Sequence, residues 1–274
     1  MVIKRFLNGF YKDFYAHRLL ENAASLSFYT LMSLVPIIAV LLGIAKGFGV
    51  DPILEKEILG AVPHQEALAE QVMNFARKTL DESRGGLIAG IGILVLLWSF
   101  LGLLSTFEKA LNDIWAVKKG RTFSRRLGDF LGFIFVSPFI FVALSSTTLF
   151  VTTEIVDFFK GWGLLETWGP YLHLMFTLIP TGITFLVYSF FYLYFPNTRV
   201  PLLTTLLAAA IAAILFQLAQ WGYLHFQLSL SRYSAIYGTF AAIPLFLLWL
   251  QMSWLITLIG TELSYRFSKS AEAK

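Results

Sequence analysis

The chain has 274 residues, of which 57% are hydrophobic, and its mean hydropathy is +0.70. A soluble domain of this size cannot bury that much apolar surface in one core, so the composition excludes an ordinary soluble protein. The formal net charge is +4, and the absence of cysteine excludes a disulfide framework and a thiolate metal site.

Six long stretches of the chain contain no Asp, Glu, Lys or Arg. Each is at least as long as the roughly 20 apolar residues that a helix needs to cross a bilayer. Because hydrocarbon cannot satisfy backbone N–H and C=O groups, such segments are expected to span as helices. The sequence therefore predicts an all-α membrane protein, with one six-helix transmembrane domain over residues 1–274. The predicted spans are residues 23–46, 86–107, 130–153, 171–195, 201–225 and 236–262, and residues 47–85 form an outer loop.

Two regions outside these spans have the spacing of amphipathic helices. Residues 3–18 predict an interfacial helix on the cytoplasmic leaflet, with one apolar face formed by Ile3, Phe6, Phe10 and Phe14. In the outer loop, residues 53–62 and 66–82 predict two further helices. These either cap the outer mouth of the bundle or lie at the interface.

The charged residues divide unequally between the two sides of a six-span topology. The side that carries the termini has 14 Lys and Arg residues and 7 Asp and Glu residues, whereas the other side has 7 basic and 10 acidic residues. Since the Lys and Arg bias of short loops sets orientation, both termini are predicted to be cytoplasmic.

A basic run on the cytoplasmic side suggests contact with either anionic headgroups or nucleic acid. Its residues are Lys118, Lys119, Arg121, Arg125 and Arg126. Only Phe123 within the run could stack on a base, so membrane lipids are the expected partner and nucleic acid is not.

No ionisable residue lies at the centre of a predicted span, which argues against a proton-driven pump. Prolines recur in the first, third, fourth and sixth spans, and the spacing from Gly132 to Pro138 repeats from Gly238 to Pro244. Two inverted three-helix halves are one interpretation, and unrelated helix kinks are the other.

Two sets of candidate functional residues follow from these patterns. Path or gate candidates, for which interhelical packing is the commoner alternative, are Ser33, Pro36, Pro138, Pro180, Gln217, Gln220, Tyr237, Gly238, Pro244, Gln251 and Glu262. A predicted inner-face network comprises Glu21, Glu108, Asn112, Arg125, Arg126 and Asp129. This network, together with Glu262, is either an inner gate whose ion pairs break on opening or a static brace.

Three ordered motifs resemble the YihY/BrkB family of bacterial inner-membrane proteins. They are AASLSFYTLMSLVP at residues 23–36, the segment from Leu97 to Trp115, and the segment from Tyr237 to Leu263. One mild departure is Thr261, where Ala is commoner. The resemblance covers nearly the whole chain. It implies a six-helix inner-membrane protein linked to envelope integrity and virulence traits, with export of lipid or another envelope component as a leading proposal.

The preferred function is therefore a transporter or exporter of lipid or another envelope component. The alternative is a non-transporting scaffold or adaptor for envelope assembly. Part of the family has carried a ribonuclease label, but the four histidines are scattered and no metal-binding or phosphate-cradling motif occurs in the sequence. We therefore expect no enzymatic activity, catalytic residue, cofactor or metal. Oligomeric state does not follow from the sequence.

Overall fold

The computed structural model describes residues 2–47, 87–122, 165–231 and 242–272, with a few single positions between 49 and 132. These residues form six long helices, with turns and loops but no strand among them, which confirms the predicted all-α class for the described part of the chain. The helices are α1 Val2–Ala16, α2 Leu19–Gly47, α3 Leu87–Ile114, α4 Leu165–Tyr194, α5 Leu202–Ser231 and α6 Ala242–Glu272.

Helices α2 to α6 each overlap one predicted span, and α1 coincides with the helix predicted for residues 3–18. The predicted span 130–153 and the outer-loop helices fall almost entirely outside the described residues. Among the described residues, two stretches are long and apolar enough to cross a membrane, and one apolar stretch is shorter. The two long stretches are Leu202–Phe226 and Pro244–Ala271, and the shorter one is Leu178–Tyr194.

The two faces of α5 show which solvent it meets. One stripe is exposed, with Leu203 at 72% and Trp221 at 70%, and it also contains Leu207, Ile214 and Leu218. The opposite face buries Thr205 completely, together with Ala208, Ala209, Ala212 and Ala213. Water would disfavour exposed leucines beside buried hydroxyls, whereas lipid favours this arrangement. The exposed stripe of α5 is therefore a lipid-facing surface.

The chain divides into two compact units. The first comprises residues 1–32, 99–126 and 181–274, and the second comprises residues 33–98 and 127–180. In the second unit, Ser33 and Met73 are buried. The contacts described below all lie in the first unit.

Helix α6 lies at the centre of the described part of the first unit because it contributes to both apolar clusters formed there. Leu258 packs with residues of α2 and α3 such as Leu26 and Leu111, and Ile256 packs with residues of α4 and α5. Helix α5 buries its alanine face and exposes the opposite one. Helix α6 connects the two clusters.

Aromatic packing around Phe107 joins three helices of the first unit. The Phe107 ring lies 5.4 Å from Phe191 and 5.2 Å from Trp254, and Phe195 is 4.7 Å away on the same side as Phe191. Edge-to-face contacts of this kind add to the apolar burial of large rings. Trp254 in turn donates from Nε1 to Thr30 Oγ1 at 2.9 Å, which ties α6 to α2.

Close approach of α4 to α6 depends on Gly260. A Cβ at this position would lie 2.0 Å from Tyr192 Oη and 2.9 Å from the Cβ of Ala212. Tyr192 is fully buried, and its hydroxyl has no hydrogen-bond partner among the described residues. Gly260 is thus required by space and not by backbone conformation.

We expect Gly260→Ala to destabilise the protein by about 1–3 kcal/mol, because the added methyl group must displace a buried tyrosine in a packed interior. Thermal unfolding of the detergent-solubilised protein measures the effect. Gly222→Ala on α5 is the matched control, since nothing lies within 4 Å of a Cβ there. The double variant Gly260→Ala/Tyr192→Phe should regain part of the loss. An unchanged unfolding temperature for Gly260→Ala would contradict the close approach.

Candidate functional site

The connection between α1 and α2 holds His17 in a tight turn. Helix α1 ends at Ala16, Arg18 takes a left-handed conformation with φ of 50°, and α2 begins at Leu19. A left-handed non-glycine residue costs about 1 kcal/mol and persists where its surroundings demand it. Here the Asn22 side chain donates to the His17 carbonyl at 3.0 Å, which fixes the turn.

Near the C-terminal end of α6, the carboxylate of Glu262 is completely buried. Its Oε2 lies 2.8 Å from His17 Nδ1, and its Oε1 accepts from Arg266 Nε at 2.9 Å. The guanidinium of Arg266 also binds Asp13 of α1 and lies over the Phe10 ring. We call Asp13, His17, Glu262 and Arg266 the Glu262 cluster.

The Glu262 cluster is neutral only when His17 is protonated, since it then pairs two cations with two carboxylates. The hydrogen bond to Glu262 raises the pKa of His17 above its ordinary value of 6.5, and the negative charges of Glu262, Asp13 and Asp113 act in the same direction, while partial burial opposes them. Protonation of His17 therefore controls the charge of the contact between α1 and α6.

A second polar cluster joins two loops of the first unit. Glu108 Oε1 accepts the backbone N–H of Arg121 at 2.8 Å, and Asn112 Oδ1 accepts the backbone N–H of Asn197 at 2.8 Å. Asn112 also lies 3.4 Å from Glu108 through its Nδ2. Glu108 and Asn112 are both buried on α3. Together they hold the loop after α3 against the loop after α4; we call this set the Asn112 cluster.

The members of the predicted inner-face network occupy different surroundings. Glu108 and Asn112 lie together, but Glu21 pairs at the exposed surface with Arg18, with 3.4 Å between Oε2 and Nε. Arg125 is also exposed, while Arg126 and Asp129 are outside the described residues. Glu108 bonds a backbone N–H here because the chain turns back over α3 after residue 116.

The path candidates are similarly dispersed. Gln220 accepts from Trp249 Nε1 at 2.6 Å, which links α5 to α6, and Gln217 and Gln251 are half-buried. Pro180 and Pro244 are exposed, and Pro36 falls within the backbone of α2. Pro138, Tyr237 and Gly238 lie outside the described residues.

Sequence reasoning found Glu262 but missed the other three members of its cluster. Arg266 stands four residues after Glu262, a spacing that places opposite charges on one helix face and signals this pair. His17 is separated from Glu262 by 245 residues, and no periodicity marks it. Only its position at the break between an amphipathic helix and a long apolar helix sets it apart.

The chain matches the family described as Virulence factor BrkB over residues 10–274. The chain belongs to this family. The match confirms the resemblance drawn from the three sequence motifs. Together with the lipid-facing stripe of α5, it identifies a membrane protein of the BrkB family.

Relatives with the name UPF0761 membrane protein occur in several bacteria. The one from Alkalilimnicola ehrlichii is 31% identical over 263 residues, covering 93% of this chain and 56% of that protein. The one from Ralstonia nicotianae is 30% identical over 249 residues, covering 89% and 54%. The chain thus spans a little over half the length of these relatives. No solved structure matches it.

We expect the stabilising contribution of His17 to depend on pH. A raised pKa means that this contribution is fully present below the ordinary pKa of 6.5 and is lost as pH rises through the higher folded-state pKa. The unfolding temperature of the wild type should therefore exceed that of His17→Gln most near about pH 6 and least near about pH 9.

His225→Gln is the matched control, because it removes an imidazole from α5 that stacks on Trp221 and is no part of the Glu262 cluster. The charged groups that act around His17 are Glu262, Asp13 and Asp113, with Arg266 and Lys269 near the same carboxylates. A constant difference between wild type and His17→Gln across this range would contradict the protonated pairing.

Proposed function

We propose that this chain is a six-helix protein of the bacterial inner membrane, with both termini in the cytoplasm, that exports or translocates lipid or another amphipathic envelope component. The observation that carries the proposal is the Glu262 cluster. Ionisable groups buried within or at the ends of membrane helices are expensive and usually functional. The proposed function includes no catalytic step.

The pairing within the Glu262 cluster suits a latch that opens. If α1 moves away from α6, Glu262 loses His17, and Arg266 loses Asp13. The bond between Glu262 and Arg266 lies within one helix and persists. The buried carboxylate therefore never stands without a cation, which keeps the cost of opening below that of breaking a fully isolated buried pair.

An amphipathic cargo fits the proposed spans because they carry no central charge. Acyl chains can remain in the bilayer while a polar lining shields only the headgroup, so no buried ion pair is needed along the path. The two inverted halves remain a hypothesis within this proposal, because Pro138 and residues 232–241 are outside the described residues.

A non-transporting scaffold for envelope assembly is the second candidate, and one observation favours it. Polar side chains of the first unit pair from helix to helix: Gln220 with Trp249, Thr30 with Trp254, and Thr205 with Ser264 at 3.0 Å. Pairs of this kind are typical of packing. They leave these particular side chains engaged with one another and not with a cargo.

The proposed topology is testable because the chain has no cysteine. Single cysteines at Ser270 and Gln71, both exposed, should respond differently to a membrane-impermeant maleimide in spheroplasts. Gln71→Cys, in the outer loop, should react, and Ser270→Cys should react only after permeabilisation. Reaction of Ser270→Cys in intact spheroplasts would contradict cytoplasmic termini.

Reconstituted vesicles test transport. Protein in liposomes should move headgroup-labelled phospholipid or a lipopolysaccharide precursor across the bilayer faster than empty vesicles do. His17→Gln should raise the rate by about ten- to a hundredfold, since a hydrogen bond to a charged group is worth about 1.5–3 kcal/mol and here holds the closed state.

His225→Gln again serves as the control and should keep the wild-type rate. A wild-type rate equal to that of empty vesicles for both lipids would overturn the proposal and leave the scaffold. A His17→Gln rate at or below that of the wild type would leave transport standing but make the Glu262 cluster a brace.

A further inference from the structure

Two loops of the first unit are joined into one surface. The first, residues 117–122, follows α3, and the second, residues 195–201, connects α4 to α5. We call them the basic loop pair. Asn197 Nδ2 donates to the Lys119 carbonyl at 2.8 Å, which brings the two loops into direct contact.

The basic loop pair is held from beneath by the Asn112 cluster. The buried side chains of Glu108 and Asn112 each accept a backbone N–H, one from each loop. The guanidinium of Arg121 adds a bond to the Tyr194 carbonyl and lies 4.6 Å from the centre of the Tyr194 ring. Four hydrogen bonds and one cation–π contact therefore hold the two loops in place.

The exposed charge of this surface is positive. Lys118, Lys119 and Arg199 are exposed. Arg199 is two residues after Asn197, whose side chain bonds the Lys119 carbonyl of the first loop. Of the neighbouring acids, Glu108 is buried against the loop and Asp113 is exposed at the end of α3, and neither loop contains an acidic residue. The basic side chains thus share one surface without a compensating exposed carboxylate from either loop.

This surface lies where the lipid-facing parts of two helices end. The exposed apolar residues of α4 run to Leu193 and Tyr194 immediately before the loop, and those of α5 begin at Leu202 and Leu203 immediately after it. Basic side chains at such a boundary stand at the level of lipid phosphates, where each attracts anionic lipid.

We infer that the basic loop pair is a binding site for the headgroup of an anionic phospholipid, whose acyl chains lie along the exposed apolar residues of α4 and α5. This inference goes beyond the proposed function, since a scaffold could bear the same site. Fixed loops lower the ordering cost of binding, because their backbone is already held in place. A lipid also uses both the charge and the adjoining apolar surface.

Single-stranded nucleic acid fits this surface less well. Such binders stack bases on open aromatic rings. Among the described residues, the Tyr194 ring already carries the Arg121 guanidinium and stacks on Phe190 with 5.1 Å between ring centres, and the Phe195 ring packs against Phe107.

Thermal unfolding in detergent with added lipid tests the site. Phosphatidylglycerol should stabilise the wild type more than phosphatidylcholine does. Lys119→Gln/Arg199→Gln should weaken the apparent affinity for phosphatidylglycerol by about thirtyfold, because each basic residue near an anionic lipid surface contributes about a factor of five. Both side chains are exposed, so folding should survive.

Lys12→Gln/Lys78→Gln is the matched control: it removes two exposed cations outside the basic loop pair and should keep the wild-type affinity. Equal stabilisation by the two lipids, or equal affinities of the two double variants, would overturn the inference. So would stabilisation by glycerol phosphate, which would indicate a site for soluble phosphate, or by single-stranded RNA.

Discussion

A carboxylate that is buried away from water needs a cation beside it, and in this fold that requirement applies to Glu262. Its side chain is completely buried, so removal of one partner leaves charge in a medium of low dielectric. The partners come from α6 itself and from the turn before α2, which lies 245 residues away in sequence. Other local features of the chain serve this contact. The left-handed Arg18 directs the chain so that His17 reaches Glu262, and Gly9 leaves room for the guanidinium of Arg266, which would lie 2.9 Å from a Cβ at that position.

The polar side chains within the first unit follow the same rule in milder form. Ser27, Thr30, Ser189, Ser253, Thr257 and Thr261 each donate to the carbonyl four residues earlier, at 2.7–3.1 Å. A hydroxyl that bonds its own helix needs no partner elsewhere and can lie inside a lipid-embedded bundle at small cost. Thr205 donates to the Pro201 carbonyl in the same way and also pairs with Ser264 of α6, and Trp249 donates across to Gln220 of α5. Such bonds, together with the alanines of α5 and Gly260 of α6, allow helices to approach closely where lipid provides no hydrophobic force between them.

The location of the long apolar helices was largely predictable from sequence. The residues at which they end, and the partners of their charged side chains, were not. Absence of charge marks the part of a helix that meets hydrocarbon, so it located parts of α2 to α6. A helix continues beyond that boundary, however, and α3 runs to Ile114 and α6 to Glu272, well past the predicted ends at residues 107 and 262. Glu108 and Asn112 were predicted to belong to one network. Their side-chain oxygens accept backbone N–H groups of Arg121 and Asn197, and these reach α3 only because the loops after α3 and α4 fold back over it. The contact of His17 with Glu262 could not be predicted for a similar reason, because a contact across 245 residues leaves no periodicity in the sequence. Among the partners of Glu262, only Arg266 is marked by its spacing of four residues.

The two polar clusters differ in a way that bears on how the first unit can move. The Asn112 cluster binds loops through backbone N–H groups, an amide side chain and one carboxylate, so its bonds do not change when a histidine titrates. The Glu262 cluster depends on an imidazole whose pKa is raised by its hydrogen bond to Glu262, and that imidazole is only partly buried. Water can therefore reach His17 and replace its bond to Glu262, while the bonds beneath the basic loop pair stay shielded. If the bundle opens, separating α1 and the turn at His17 from α6 thus costs the least free energy. The loops after α3 and α4 stay bonded to each other and do not move apart.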